Sequence, residues 1–293
     1  MKYDSPILSL RDAIAEAPHR IARHKEREFV EIRDGHNLSL RFTDERGFAF
    51  EVSLTSHVIS LSILALEYLW SVCHLFIVTV DEYQRQNELG ITALDFSLSS
   101  RTRNAWELYT RSFENMKSGE ATPWPPYCPS PLATEVRDVK TSNELFLCAL
   151  SWIIHHEIAH VHLGHIGDIT VTSIPQENEA DAQATAWLLE GQPSEQEFQK
   201  CLISIVSAIL AMKMAENVAS TPFSKTHPET FQRLERCLLA SNVHDDNEVY
   251  VLINIVLRLH LTVSEINPPP PVEGSLRKNA SELMCLYLAE NKI

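Results

Sequence analysis

Two histidines stand one helical turn apart near the middle of the chain, with a glutamate directly after the first. They are His156 and His160, with Glu157 between them, in an apolar segment over residues 145–165. In a helix, positions i and i+4 lie about 40° apart around the axis, so both imidazoles project from one face. Two neutral imidazoles at that spacing can occupy two corners of a tetrahedral zinc site. Glu157 then lies close enough to accept a proton from a water at the metal.

The same segment carries three further histidines, and a helical wheel turns them away from this face. His155, His162 and His165 are therefore assigned no chemistry. A plainer interpretation of the whole segment is an apolar core helix with histidines near its end. A third ligand and an orienting group elsewhere in the chain would favour the metal site over that interpretation.

A carboxylate that could be the third ligand lies on the next predicted helix. Glu177 and Asp181 are one helical turn apart and share a face, while Glu179 points elsewhere. Glu177 would complete a site of two histidines and one glutamate, with one position open to water. Asp181 is placed to accept the free N–H of a ligating imidazole and so to fix its tautomer. In the alternative, these acidic residues are the solvated face of an alanine-rich helix.

The composition is that of an ordinary globular protein, with 44% hydrophobic and 22% charged residues. A net charge of −14 disfavours nucleic acid and anionic membranes as primary partners. The six cysteines are scattered and form no CxxC pair, which indicates buried thiols in a reducing compartment. Because the first residues also lack the hydrophobic core and cleavage site of a signal peptide, we expect a cytoplasmic protein.

Residues 57–80 form an apolar run that is long enough to span a bilayer. A helix drawn through the run nevertheless has a polar stripe, formed by Ser60, Glu67, Ser71 and His74. The stripe favours a buried or half-buried helix of the core, and membrane association stays open as the alternative.

Alternation of apolar and polar residues marks a β region near the N-terminus. The segments 29–33, 38–42 and 48–54 are separated by turns that contain glycine, which predicts three strands in an antiparallel β-meander. Elsewhere the periodicity is mostly helical. The predicted helices are 8–25, 57–85, 100–116, 142–165, 175–191, 194–218, 227–240, 246–264 and 275–290, with a short strand over 169–172. The predicted fold class is α+β, mainly α, with the meander in a domain over 1–56, and a helical domain over 57–293 that holds the metal site within 142–240.

The helix that carries the two histidines has recognisable end signals. Thr141 and Glu144 have the spacing of a capping box and would start it. Gly164 and Gly167 would end it. Since most of the residues between these signals are apolar, the helix is expected to be buried nearly all round, and its imidazoles then need partners.

These residues resemble the motif of the gluzincin peptidases, of both the thermolysin type and the HtpX/CAAX-prenyl-protease type. The matching positions are His156-Glu157-Ile158-Ala159-His160, Gly164-His165 and Glu177-x-x-Ala180-Asp181. A further block, Thr226-His227-Pro228 with Arg233 and Leu234, resembles the His-Pro…Arg element that follows the metal site in the HtpX type. The resemblance covers about residues 145–240 and implies a zincin-like metallopeptidase core.

The resemblance also implies a role for each residue of the motif. The zinc ligands would be His156, His160 and Glu177, the catalytic base Glu157, and the acceptor behind a ligand Asp181. His227 would lie at or near the cleft as the candidate donor to the oxyanion, with Tyr250 and Arg233 as further candidates. In the alternative, His227 belongs to the start of a helix. For Arg233 a structural ion pair is the favoured interpretation.

The chain is also similar to the Lit-type phage-exclusion peptidases, which cleave a translation elongation factor of the host in response to infection. The implied function is that of a zinc-dependent endopeptidase acting on a protein or peptide, with Zn²⁺ as its cofactor. The alternative is a zincin-fold regulatory or toxin-like interaction protein whose metal site is structural or vestigial. Three well-placed protein ligands favour catalysis, because closed structural sites usually have four.

Overall fold

Helices build most of the molecule, and a small sheet lies near its N-terminus. The computed structural model describes residues 4–89, 99–165, 173–216, 228–271 and 274–290. Within them the α-helices are α1 (Arg11–Ile21), α2 (Glu26–His36), α3 (Ile63–Glu88), α4 (Ser100–Ser118), α5 (Arg137–His162), α6 (Ile174–Leu189), α7 (Glu195–Glu216), α8 (Thr230–Ala240), α9 (Glu248–Val263) and α10 (Leu276–Glu290). Two 3-10 helices, Pro6–Leu10 and Arg23–Lys25, flank α1. The predicted fold class, α+β and mainly α, is confirmed.

The sheet differs in topology from the predicted antiparallel meander. Its strands are β1 (Ser39–Thr43), β2 (Phe50–Ser53) and β3 (Val58–Ser62), with β3 in the centre. β3 runs parallel to β1 and antiparallel to β2. The meander prediction was wrong because alternation indicates a strand and its buried face, but contains no information on which neighbour the strand will pair with.

The first predicted strand, 29–33, is part of helix α2. Phe29 and Ile32 are its buried residues, and their spacing of three positions fits one face of a helix. The helix ends at Asn37, whose left-handed backbone (φ 53°) donates its N–H to the carbonyls of Arg33 and Asp34. In so short a run the apolar residues satisfy both the strand and the helix periodicity, and the packing of Phe29 against Trp187 selects the helix.

The central strand β3 lies inside a segment that the sequence predicts as helix, 57–85. Ile59 and Leu61 are fully buried and alternate with Ser60 and Ser62, but this short strand pattern runs directly into the long apolar run of the helix that follows it. Ser62 separates the two elements, since its side chain accepts the N–H of Ala65 and caps α3. The division into domains 1–56 and 57–293 stays a prediction.

Two helices of 26 residues each, α3 and α5, carry much of the hydrophobic core. Helices α4, α7 and α9 pack against α3, while α1, α6 and α7 pack against α5. By length and composition α3 and α7 could each cross a membrane, and 83% and 72% of their most apolar windows are buried inside the protein. Burial of this kind is also what a core helix shows.

The predicted polar stripe of α3 lies between helices. Nη1 of Arg111 on α4 donates to Glu67 over 2.6 Å. The ring of His74 lies 3.0 Å from the hydroxyl of Ser142 on α5. Ser60 belongs to β3 and not to the helix. The stripe therefore forms polar contacts that join α3 to its neighbours in the core.

Helix α5 begins earlier than predicted, at Arg137. Thr141 lies inside it and donates its hydroxyl to the carbonyl of Arg137, so the predicted capping box with Glu144 was wrong. The end is as predicted at Gly164, which has a φ of 65° that an L side chain rarely adopts. The other predicted terminator, Gly167, and the predicted strand over 169–172 lie outside the described residues.

Helix α6 begins with a complete capping box at Ser173. Its side chain accepts the N–H of Gln176, whose own side chain accepts the N–H of Ser173. Ala180 and Ala184 are fully buried on this helix, and α6 packs against α5. Because alanine adds so little bulk, the two helices can approach closely enough for side chains on facing turns to meet.

Candidate metal centre

Three potential metal ligands from α5 and α6 converge on one point. The Nε2 atoms of His156 and His160 lie 3.0 Å apart. The carboxylate oxygens of Glu177 lie 3.3 Å from Nε2 of His156 and 3.5 Å from Nε2 of His160. An ion bound at zinc's usual distances to three corners of a tetrahedron requires donor separations of about 3.3 Å. The spacing of the three donors therefore fits a tetrahedral metal ion.

The charges around these donors also suit a cation. All three side chains are buried, and Glu157 and Asp181 bring two more carboxylates close to them. Burial opposes protonation of His156, but Asp181 and Glu177 outweigh it and raise the pKa of His156 to about 9. Burial lowers the pKa of His160 to about 3. A cation at the point between the two Nε2 atoms would satisfy both imidazoles and the carboxylates together.

Asp181 holds the first histidine from behind. Its Oδ1 lies 2.9 Å from Nδ1 of His156. Arg233 on α8 donates from Nε and Nη2 to the two oxygens of Asp181, over 2.8 and 2.7 Å. Although burial opposes it, Arg233 and His156 hold the pKa of Asp181 well below its usual range. Asp181 thus contacts His156, and the predicted ion pair of Arg233 is present. The role of Asp181 behind a metal ligand stays a prediction.

A second imidazole holds His160 from behind, and this contact is missing from the sequence prediction. Nδ1 of His165 lies 2.8 Å from Nδ1 of His160, and Nε2 of His165 lies 3.1 Å from Oε2 of Glu179. The helical wheel turned His165 away, but the wheel stops applying where the helix ends at Gly164. In the Schellman geometry, the residue after the glycine folds back onto the third residue from the helix end, which is His160.

The candidate base Glu157 is held by the sheet. Its Oε2 accepts the backbone N–H of Val52 on β2 over 2.8 Å. Burial raises the pKa of Glu157 to about 7, although the nearby His156 opposes this shift. A carboxyl group with a pKa near neutrality can accept a proton and release it again under physiological conditions.

A cavity of about 70 Å³ lies beside Glu157. It is lined by Phe48, Phe50, Ile153, His156, Glu157, Met212, Glu216 and Arg233. The volume is enough for a few water molecules, since each needs roughly 10–15 Å³ of such space. The site thus combines a potential metal, a potential base and room for the water between them.

The remaining candidate residues differ in their position relative to this cavity. Of the two further oxyanion donors named above, Arg233 is among the described residues that line the cavity, and Tyr250 on α9 is not. The candidate His227 lies outside the described residues, so its role stays a prediction. His155 stacks on Phe29, with ring centroids 4.3 Å apart, and thus lies in the core rather than at the site.

Comparison with known proteins indicates that the chain is a peptidase. Residues 59–253 match the family described as Peptidase U49, and this range contains Glu157 and all three potential ligands. A cell death peptidase of Escherichia coli (strain K12) is 31% identical over 270 residues, which cover 90% of this chain and 91% of that protein. No solved structure matches the chain. Because the family match covers most of the chain and the relative nearly all of it, the chain belongs to the peptidase U49 family and acts on protein substrates.

Proposed function

We propose that this peptidase is a zinc-dependent endopeptidase of the gluzincin type. The observation that carries the proposal is the convergence of His156, His160 and Glu177, with donor separations of 3.0–3.5 Å, beside the half-buried carboxylate of Glu157. Three protein ligands leave one corner of a tetrahedron for water or substrate, as in catalytic zinc sites. The resemblance to the gluzincin motif supports the same assignment.

The residues of the site would share the work of hydrolysis as follows. When bound, zinc would polarise the scissile carbonyl and lower the pKa of the attacking water. Glu157 accepts a proton from that water and returns it to the leaving amine. Asp181 holds His156 in place, and Arg233 keeps Asp181 ionised. The N–H of Val52 fixes the carboxylate of Glu157 at the cavity.

The sheet suggests how a substrate would lie. β2 pairs with β3 on one side in the described sheet, and its other edge faces Glu157 through the N–H of Val52. An extended peptide could add to this edge beside Val52, whose own N–H stays with Glu157, and would then have its scissile bond near the cavity. β2 is therefore the strand that we propose for substrate binding.

The relative supports a proposal about biological role. That protein is described as a cell death peptidase. We propose that this chain is a Lit-type peptidase that acts on a host protein in phage exclusion. We also propose that it works in the cytoplasm. Its six cysteines are all free thiols, five of them buried, which suits a reducing compartment.

The proposal is tested first by Glu157→Gln. This variant should keep about one zinc per chain and lose hydrolysis, because the amide cannot take up the proton of the attacking water. Zinc is measured by elemental mass spectrometry, and hydrolysis by the new N-termini that appear in a bacterial lysate. Glu144→Gln makes the same change on an exposed turn of α5 and should leave both unchanged. Full activity in Glu157→Gln would contradict the proposed mechanism.

The metal assignment is tested in the same samples by Glu177→Ala. Loss of one of three ligands should reduce the zinc content sharply. Full occupancy in that variant would remove Glu177 from the site. A wild-type protein with no zinc, whose melting temperature does not change on adding a chelator, would instead support the interaction-protein alternative.

A further inference from the structure

A buried histidine and an exposed glutamate continue the site beyond the ligand His160. Their contacts run from Nδ1 of His160 to Nδ1 of His165 over 2.8 Å, and from Nε2 of His165 to Oε2 of Glu179 over 3.1 Å. The side chain of His165 is 5% exposed and that of Glu179 is 65% exposed. This Glu179–His165–His160 chain therefore links a potential ligand to the solvent, and the proposed mechanism makes no use of it.

Local structure explains why His165 lies where it does. The N–H of Gly164 bonds the carbonyl of Val161 over 3.1 Å, and the N–H of His165 bonds the carbonyl of His160 over 3.0 Å. Together these bonds form a Schellman motif, which reverses the chain at Gly164 and lays His165 against His160. The position of His165 is thus set by backbone geometry as well as by its side-chain contacts.

Helix α6 supplies both a potential ligand and the outer end of the chain of contacts. Positions i and i+2 of a helix lie on roughly opposite sides. Glu177 therefore faces the point between His156 and His160, whereas Glu179 meets His165 at the protein surface. The same turn of α6 therefore carries Glu177, which faces the Nε2 side of His160, and Glu179, which lies on the solvent side beyond its Nδ1.

The proton positions along this chain of contacts allow one consistent assignment. If Nε2 of His160 is a ligand, the ring proton of His160 is on Nδ1. That N–H then donates to Nδ1 of His165, which must be unprotonated to accept it. His165 consequently carries its own proton on Nε2, where it donates to the carboxylate of Glu179.

We propose that His165, oriented by Glu179, is a positioning residue that holds His160 as the tautomer protonated on Nδ1, with Nε2 directed at the metal. The inference rests on the proposed zinc site. Groups behind a ligating histidine commonly change metal affinity by about 10–100-fold when they are removed. Asp181 stands behind His156 in the same way, so both histidine ligands are held from outside.

The test measures zinc affinity of the metal-free protein by competition with a chromophoric chelator. His165→Phe keeps an aromatic ring of similar size and removes the acceptor, and it should weaken zinc binding about 10–100-fold. His165→Asn places an amide oxygen near the position of Nδ1, and should restore the affinity to within roughly threefold of wild type. Glu179→Ala should weaken binding less than His165→Phe, because the second imidazole remains.

Two control variants make the same chemical changes nearby. His162→Phe alters an exposed histidine on α5, and Glu190→Ala removes an exposed carboxylate at the end of α6. Both should bind zinc as wild type does. The tautomer is read separately from ¹⁵N shifts of the ring nitrogens in the metal-free protein, with the His160 signals identified by their loss in His160→Gln. His165→Phe should redistribute the ring proton of His160 between its two nitrogens.

The outcomes separate this inference from the function on which it rests. Zinc binding by wild type with an unchanged affinity in His165→Phe would overturn the positioning role and leave the zinc site intact. An affinity of His165→Asn as low as that of His165→Phe would also overturn it, because His165 would then act by packing alone. A wild-type protein that binds no zinc would overturn both proposals.

Discussion

At the scale of single residues, the candidate site is organised by pairs in which an outer group holds an inner one. Asp181 lies behind His156, and Arg233 lies behind Asp181. This ion pair is buried away from bulk water, so each partner depends on the other to compensate its charge. The pair is thus a strong constraint on the geometry of the site and a liability when one partner is missing.

Replacing Arg233 with methionine should destabilise the protein by about 3–5 kcal/mol, because it removes the ion-pair partner of the buried carboxylate of Asp181. Urea unfolding measures this cost. The double variant Arg233→Met with Asp181→Asn should lose much less stability than the sum of the two single losses, since both charges are then gone. Arg236→Met on the exposed side of α8 is the matched control. An equal cost for Arg233→Met and Arg236→Met would contradict a structural role for the buried pair.

At the scale of elements, the ends of helices matter as much as their faces. Helix α5 presents His156 and His160 by its regular periodicity, but Gly164 at its end places His165. Helix α6 starts at the Ser173 capping box, which sets the rotation at which Glu177 meets the histidines. The edge strand β2 adds the N–H that holds Glu157. His165, Glu177 and Glu157 therefore depend on where an element begins, ends or leaves a backbone group unpaired within its sheet.

Gly164→Ala tests the importance of the end of α5. The φ of 65° at this position disfavours a Cβ, so the variant should lose about 1 kcal/mol of stability and bind zinc more weakly as His165 shifts. Gly35→Ala is a control in which the same substitution should have the opposite effect. Gly35 lies inside α2 without a positive φ, and no neighbouring atom lies within 4 Å of the place that a methyl group would take. That change should stabilise the protein by about 0.5–1 kcal/mol. Thermal unfolding and zinc competition measure both effects, and a stable Gly164→Ala with wild-type zinc affinity would contradict the expectation.

At the scale of the whole molecule, stability depends in part on keeping a histidine uncharged inside the core. His74 lies between α3 and α5, with its ring stacked on Trp70 and 3.0 Å from the hydroxyl of Ser142. Burial lowers the pKa of His74 to about 4, although Asp138 opposes the shift. The folded protein thus keeps this ring neutral at pH values where an unfolded chain would protonate it.

The free energy of unfolding should therefore fall as the pH drops from about 6.5 to 4. Above pH 6.5, His74 is neutral in both the folded and the unfolded state. Between about pH 6.5 and 4 only the unfolded state binds the proton, and this lowers the free energy of unfolding by up to about 3 kcal/mol. His74→Gln keeps a polar group near Ser142 but cannot be protonated, so its pH profile should be flatter. His244→Gln changes an exposed histidine as the control. Denaturant titrations at several pH values measure the slopes, and parallel profiles for wild type and His74→Gln would rule out this contribution.

Several features of the protein could be predicted because they depend on local sequence. The spacing of His156 and His160 predicts a shared helix face, and that of Glu177 and Asp181 predicts a second one. The capping box at Ser173 and the terminator at Gly164 are equally local, and the structure contains both. Helix periodicity and end signals act over a few residues, so they can be read without knowing what the segment packs against.

Other features were decided by contacts between distant segments. Whether 29–33 forms a strand or a helix depends on Trp187, and the order of the three strands depends on which edges meet. The N–H of Val52 meets Glu157 across more than a hundred residues of chain. Likewise, the sequence by itself determined that two imidazoles and a carboxylate were available on two helices as potential metal ligands. Only tertiary packing brought donor atoms of the two helices to within 3.5 Å of each other and set Glu179 against His165, because burial and pairing depend on the whole set of neighbours.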